Sequence, residues 1–143
     1  MVDTVFVAVD DELSRMEPVA TTAAEIAAGL DADVVLFHVF GENEFESYLE
    51  EFGYESADPV EIARKHAVVQ DCAAIFEEHD VEAEIAASIG DPSTEITEYV
   101  TDNDVDHVFM GGHRRSAAGK ALLGSVSQKV LRQVEVPCTI SME

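Results

Sequence analysis

The sequence predicts one α/β domain, a five-stranded parallel sheet with helices on both faces. Two observations carry this. Apolar, β-branched runs alternate with stretches of helical spacing along the whole chain, in the order βαβαβαβαβ. That alternation specifies a parallel sheet joined by right-handed crossovers. The second of these runs, DVVLFHVF, is apolar enough to be buried on both faces, as parallel strands usually are.

Residues 4–10 (TVFVAVD) are the first strand and end in Asp10 and Asp11. Met16, Ala20, Ala23, Ala27 and Leu30 follow at helical spacing, with Gly29 and Asp31 as the stop. Residues 33–40 are the second strand. Ile62, His66, Val69, Ala73 and Phe76 mark one helical stripe, and residues 81–88 (VEAEIAAS) alternate weakly as the third strand. Gly90, Asp91 and Pro92 turn the chain, and Ser93 and Thr94 open a helix carrying Ile96 and Val100. Residues 106–110 (DHVFM) are the fourth strand. Val126, Val130 and Val134 define the last helix, and residues 137–141 (PCTIS) close the sheet. No repeat, low-complexity tract or linker interrupts the series, so residues 1–143 are expected to form one domain.

The chain has 143 residues, with 30 Asp and Glu against 8 Lys and Arg, for a formal charge of −22. Its 47% hydrophobic content is too high for a disordered acidic protein, so the charge coats a folded body. Such a surface repels phosphate backbones and anionic lipid headgroups, which argues against nucleic acid and membrane partners. No run approaches 18 apolar residues, and MVDTVFVAVDD has no basic n-region, so neither a membrane span nor a signal peptide is expected. Cys72 and Cys138 lie far apart without C-x-x-C spacing, which fits a reducing cytoplasm and two small buried hydrophobes. With only Lys65, Lys120 and Lys129 as lysines, the composition is that of a salt-in halophile. At 1 M salt the Debye length is about 3 Å, so a charged ligand is judged by direct contacts.

Residues 41–57 hold six glutamates and four of the ten aromatic residues, with Phe45, Tyr48, Leu49 and Phe52 at helical spacing. The plain reading is an amphipathic helix whose aromatics cover a sheet edge. A lid over the ligand crevice is the sharper alternative. In parallel sheets that crevice lies outside the carboxyl ends of the strands, where the strand order reverses. Asp10, Asp11, the segment after Phe40, Gly90 and the segment after Met110 are therefore the functional candidates.

The basic residues are unevenly placed. Arg114, Arg115, Lys120, Lys129 and Arg132 fall within nineteen positions, and the 28 residues from His107 to Val134 contain no acid, where an even spread would put about six. This points to a bound anion, although a covered dimer contact would also explain the missing acids. Gly111-Gly112 follows a strand and Gly124-Ser125 opens a helix, whose free N–H groups and dipole suit phosphate. Arginine adds a planar fork of donors, and Ser125 could cap the helix or turn to a phosphate oxygen. Two nucleotide motifs are excluded. Gly119-Lys120 is followed by Ala121 where a P-loop needs Ser or Thr, and no G-x-G-x-x-G follows the first strand. His38, His66 and His79 show no paired spacing, so no metal cluster is expected. His113 is a candidate phosphate donor or a plain loop residue.

The stretch VFMGGHRRSAAGKALLGSVSQKVLRQVEVPCTI resembles the carboxyl-terminal signature of the universal stress protein (UspA-like) family. The likeness extends through TVFVAVDD, DVVLFHVF and GDPSTEITEYV, and is that of a single-domain member of haloarchaeal type. Nucleotide-binding members of the family carry G-x2-G-x9-G-[ST]. Gly111, Gly124 and Ser125 match this pattern, and Arg114 replaces its middle glycine. The resemblance implies an adenine-nucleotide alpha-hydrolase-like (Rossmann-like) sheet and a cytoplasmic homodimer through the strand around Pro137 to Ser141, with an edge strand at the dimer contact as one form of it. It also implies ATP in the crevice. By resemblance Asp10 lies near the ribose, Val39 beside the adenine, and Gly111, Gly124 and Ser125 at the phosphates, with Val9, Met110 and Val126 as neighbours. Asp10 and Asp11 are candidates for holding a nucleotide's Mg2+. Arg114 either offers its guanidinium to the phosphates or fills the pocket, because arginine tolerates a positive φ poorly.

Two functions follow from these alternatives. One is an ATP-binding regulatory or sensor module of the stress response with little or no hydrolysis. The other is a dimeric protein-interaction module that binds no nucleotide. A nucleotidyl transferase is disfavoured by the lack of an H-x-G-H pair, and no catalytic residue is assigned.

Overall fold

Asp106 fastens the start of the chain to the middle of the sheet, accepting the backbone N–H groups of Asp3 and Thr4 at 2.9 Å each. These two bonds hold its carboxyl below the usual range. The computed structural model describes residues 1–115, 120–122 and 124–142. In chain order the elements begin β1 (Thr4–Ala8), α1 (Leu13–Leu30), β2 (Asp33–Phe40), α2 (Glu42–Phe52), α3 (Pro59–Ala63) and α4 (Ala67–Glu78). They continue β3 (Ala83–Ile89), α5 (Pro92–Asp102), β4 (His107–Arg115), β5 (Lys120–Leu122), α6 (Ser125–Gln133) and β6 (Cys138–Met142).

Five strands run parallel in the order β3–β2–β1–β4–β6, as the alternation predicts. Val5 pairs with Val34 on one side and His107 on the other, and Val108 pairs with Cys138. The chain builds outward from β1 to β3, then returns to place β4 on the opposite side of β1. The strand order therefore reverses between β1 and β4, which is where an open α/β sheet forms a ligand crevice.

Side-chain alternation divides the core into two layers. Val5, Val7, Val34 and Leu36 face α1 and α4, against Met16, Ala20, Ala23, Cys72 and Phe76. Phe6, Val35, Phe37 and Val108 face α5 and α6, against Ile96, Val100 and Val130. Alanines on the inner stripe of α1 let that helix lie close to the sheet, and all of Ala20, Ala23, Ala24 and Ala27 are buried. Phe40, Phe45, Ile62 and Ala63 form a third cluster at the end of β2. Residues 41–57 thus contain the expected amphipathic helix, and its aromatic side packs on the strand end.

Three local expectations are corrected. The stripe from Ile62 to Phe76 is two helices, because His66 takes an extended conformation (φ −72°, ψ 127°) as the N-cap of α4. Gly29 lies within α1, and Asp31 is the left-handed residue that ends it (φ 53°). Asp80 (φ 58°) and Asp104 (φ 51°) do the same between α4 and β3 and between α5 and β4. Aspartate is one of the few L-residues that tolerates this region, so an acid-rich chain uses it where glycine is common. Finally, Gly111 and Gly112 do not follow β4 but lie inside it. The strand runs on to Arg115 and pairs antiparallel with β5, Arg114 opposite Ala121.

Candidate functional site

A cavity of about 330 Å³ opens at the carboxyl ends of β1 and β4, at the small end of the range for small-molecule sites. Phe37, Val39, Ile96 and Met110 give it an apolar wall, and Asp10, Asp11, Arg15 and Ser125 give it polar groups. Val9, Asp10, Val39, Met110, Gly111, Gly124, Ser125 and Val126, all expected near a nucleotide, line it together. Arg114 has its backbone in β4, and its side chain lies outside the described residues, as do those of His113, Arg115 and Lys120. Gly119 also lies outside them. Lys129 and Arg132 are exposed on α6 and are not among the residues lining the cavity. No described residue of 41–57 lines it either, so the lid reading has no support from the cavity walls.

The phosphate-type end of the cavity is built by α6. Gly124 is its N-cap in extended conformation (φ −65°, ψ 163°) and, having no side chain, supplies no side-chain cap to the first turn. The opening N–H groups of a helix have no intrahelical partner, and with the helix dipole they favour an anion. Ser127, buried on the next turn, donates its hydroxyl to the Gly111 carbonyl at 3.4 Å and ties α6 to β4.

The β1 end carries a group that sequence reasoning missed. Arg15 Nε lies 2.6 Å from Asp10 Oδ2, and the other Asp10 oxygen accepts the Glu12 N–H at 2.8 Å. The arginine stem crosses Gly111 so closely that a Cβ there would come 2.6 Å from Arg15 Cγ. A glycine is therefore required at 111 by the neighbouring arginine. Arg15 was overlooked because the basic cluster near the carboxyl terminus drew the argument. Its position five residues after Asp10, in the first turn of a helix, was the available signal.

A second grouping was also invisible. Asp11, His38 and His66 come from β1's end, β2 and the start of α4, and their ligand atoms lie within 4.8 Å of one another. His66 Nε2 is 2.8 Å from Asp11 Oδ1, and His38 Nε2 is 3.8 Å from the same oxygen. The His66 hydrogen bond holds the Asp11 carboxyl below its usual range, and burial pushes His38 below the usual histidine range. The imidazole rings of His38 and His66 lie 4.3 Å apart, and Phe40 packs edge-on to His38 at 4.6 Å. No spacing rule joins positions 11, 38 and 66. Only the parallel crossover brings them together.

A doubly covered parallel sheet with its cavity at the switch point, bounded by the start of a helix, defines a doubly wound α/β protein with a ligand crevice at the carboxyl ends of its strands. The profile of the universal stress protein family matches residues 1–141, and the chain belongs to that family. It is 45% identical over 53 residues to a universal stress protein of Methanothermobacter thermautotrophicus, a match covering 37% of this chain and 34% of that protein. The chain thus aligns with about a third of that relative's length. The fold is shared with a universal stress protein from Archaeoglobus fulgidus, at a TM-score of 0.74 and 22% identity over 98% of each chain. It is also shared with the Archaeoglobus fulgidus protein in complex with dAMP (TM-score 0.69, 20% identity, 98% of each chain). A third structure, a universal stress protein in complex with cAMP, matches with a TM-score of 0.71 and 20% identity over 99% of this chain and 97% of that one.

Proposed function

We propose that this universal stress protein binds an adenine nucleotide, ATP in the first instance, between β1 and β4 and acts as a regulatory or sensor module of the stress response. The observation that carries the reading is the glycine-capped start of α6, with Gly124 and Ser125 bordering the same cavity as Asp10 and the apolar wall at Val39 and Met110. The residues present fit the ligand: an apolar slot for a base, a carboxylate for ribose hydroxyls, and backbone donors for phosphate. The dAMP and cAMP complexes of structural relatives support the same class of ligand. A nucleotide would bring charge for Arg15 to meet, and Arg114 stands in the family motif where it could add a second guanidinium. Mg2+ would accompany ATP through Asp10.

The role is binding with little or no hydrolysis. Asp10 is engaged by Arg15 and the Glu12 N–H, and Asp11 by His66, which leaves neither aimed at a water as a free general base. We further propose a homodimer through β6, whose five residues are all only half-buried and which pairs with β4 along one side. The −22 charge supports a cytoplasm of molar salt, as in a haloarchaeal cell, where acid repulsion is screened. Among the described residues, no helix is long and apolar enough to cross a membrane.

One observation favours the second reading, a dimeric interaction module without nucleotide. Arg114 lies in a paired strand, where the family motif has a glycine. The experiment is to purify the protein in molar KCl, denature it, and identify released small molecules by mass spectrometry. Near-stoichiometric adenine nucleotide is expected. A protein that releases none and takes none up on titration would move the function to protein partners.

A further inference from the structure

We propose that Asp11, His38 and His66 form a binding site for a divalent first-row transition metal of the Zn2+ class, on the wall of the cavity and independent of its nucleotide. Two imidazoles and one carboxylate with an open position are a recurrent ligand set for such ions, and they disfavour Mg2+, which prefers oxygen. At Zn–ligand distances of about 2.0–2.2 Å, tetrahedral ligand atoms stand roughly 3.3 Å apart. The Asp11 oxygen lies 2.8 Å from one imidazole nitrogen and 3.8 Å from the other, so the observed spacings bracket that value.

The second, independent observation is His38 itself. Its side chain is 3% exposed. Nδ1 lies 2.7 Å from the Val9 carbonyl, and a carbonyl can only accept, so Nδ1 carries the proton. In the neutral ring Nε2 is then a bare lone pair. That atom is buried and has no hydrogen-bond partner among the described residues, a costly arrangement for a polar group. It faces Asp11 Oδ1. A metal ligand held by a backbone carbonyl on its other nitrogen is the usual orientation of a ligating histidine.

His66 requires one rearrangement. Its Nδ1 accepts the Val69 N–H at 3.4 Å, so its proton lies on Nε2 and is donated to Asp11. Metal entry moves that proton to Nδ1, with no net release, and gives up the long capping contact. Asp11, 63% exposed and lining the cavity, supplies the route in and leaves the remaining coordination position toward the cavity. Phe40 and Tyr48 pack around His66 and shield the site from the other side.

The test uses the full chain, freed of metal by chelation and kept in molar KCl so that the many surface carboxylates bind weakly. Co2+ and Zn2+ are titrated by absorbance and calorimetry, and the histidine ring nitrogens are followed by 15N NMR. One equivalent is expected, with the His38 Nε2 resonance displaced. His66→Gln and Asp11→Asn should each weaken binding, by about a hundredfold for the histidine. Circular dichroism checks that both variants fold, and Asp11→Asn, at a largely exposed side chain, carries the test should His66→Gln unfold. No binding, or binding that leaves His38 Nε2 unmoved, or affinity unchanged in both variants, would overturn the site.

Discussion

The stem of Arg15 occupies the space that a side chain on Gly111 would need: a Cβ there would lie 2.6 Å from Arg15 Cγ and 3.2 Å from its Cδ. The first turn of α1 and the middle of β4 are thereby fitted to each other across the crevice. The arginine's head is at the same time fixed on Asp10, so one side chain links three parts of the cavity wall.

Gly111→Ala should therefore destabilise the fold by about 1–3 kcal/mol, as an overpacked substitution does. Because the blocking atoms lie in the middle of the arginine stem, moving them also breaks the ion pair with Asp10. In an Arg15→Ala background the added methyl should cost under about 1 kcal/mol. Urea denaturation of the two single variants and the double variant measures this coupling. Additive effects would show that Arg15 is not what excludes a side chain at 111.

The left-handed aspartates give a backbone prediction. Asp80 adopts φ 58° between α4 and β3. A β-branched residue is strained there, whereas glycine is not. Asp80→Val should be less stable than Asp80→Gly by about 1–2 kcal/mol in thermal or urea unfolding. Equal stabilities would argue against this turn geometry.

Acid sensitivity should follow Asp106. Its carboxyl is held low by the Asp3 and Thr4 N–H groups, so the unfolded chain binds the proton more readily than the folded one. The stability this contributes is complete above the unfolded carboxyl range, and it is lost as pH falls from about 4 through the lowered native value. Asp106→Asn should flatten that part of the stability–pH curve, read by urea midpoints between pH 3 and 6. An unchanged slope would remove Asp106 from the account.

The cysteines should differ in reactivity. Burial pushes the Cys72 thiol up to about 12, and it is fully enclosed between α4 and the sheet, whereas Cys138 is half-buried. Thiolate is the reactive form. A thiol reagent at pH 8 should modify Cys138 first and Cys72 only on unfolding, which peptide mass spectrometry resolves. Early labelling of Cys72 would contradict the packing of α4.

The sheet was legible because parallel strands are near-continuous apolar runs, and β2 matches its expected limits of 33–40 residue for residue. The crevice was legible for the same reason, since strand ends follow from strands. What stayed hidden depended on distance in the chain. His66 reads as one more apolar-side position in a helical stripe until its extended backbone breaks that stripe. His38 reads as a strand residue, and nothing local announces that its Nε2 faces Asp11. Gly111 reads as a loop glycine, yet it is a strand residue kept small by an arginine nearly a hundred positions earlier.

The central claim is that the crevice beside α6 binds an adenine nucleotide, and calorimetric titration in molar KCl tests it most directly. Wild type and Gly124→Val are compared with ATP, AMP and cAMP. Among the described residues, a Cβ on Gly124 would meet nothing within 4 Å, so the variant should fold while its bulk obstructs the helix start. Saturable binding of at least one of these nucleotides by the wild type and its loss in the variant are expected, with unfolding midpoints nearly equal. Absence of binding to the wild type, or equal affinity in both proteins, would contradict it.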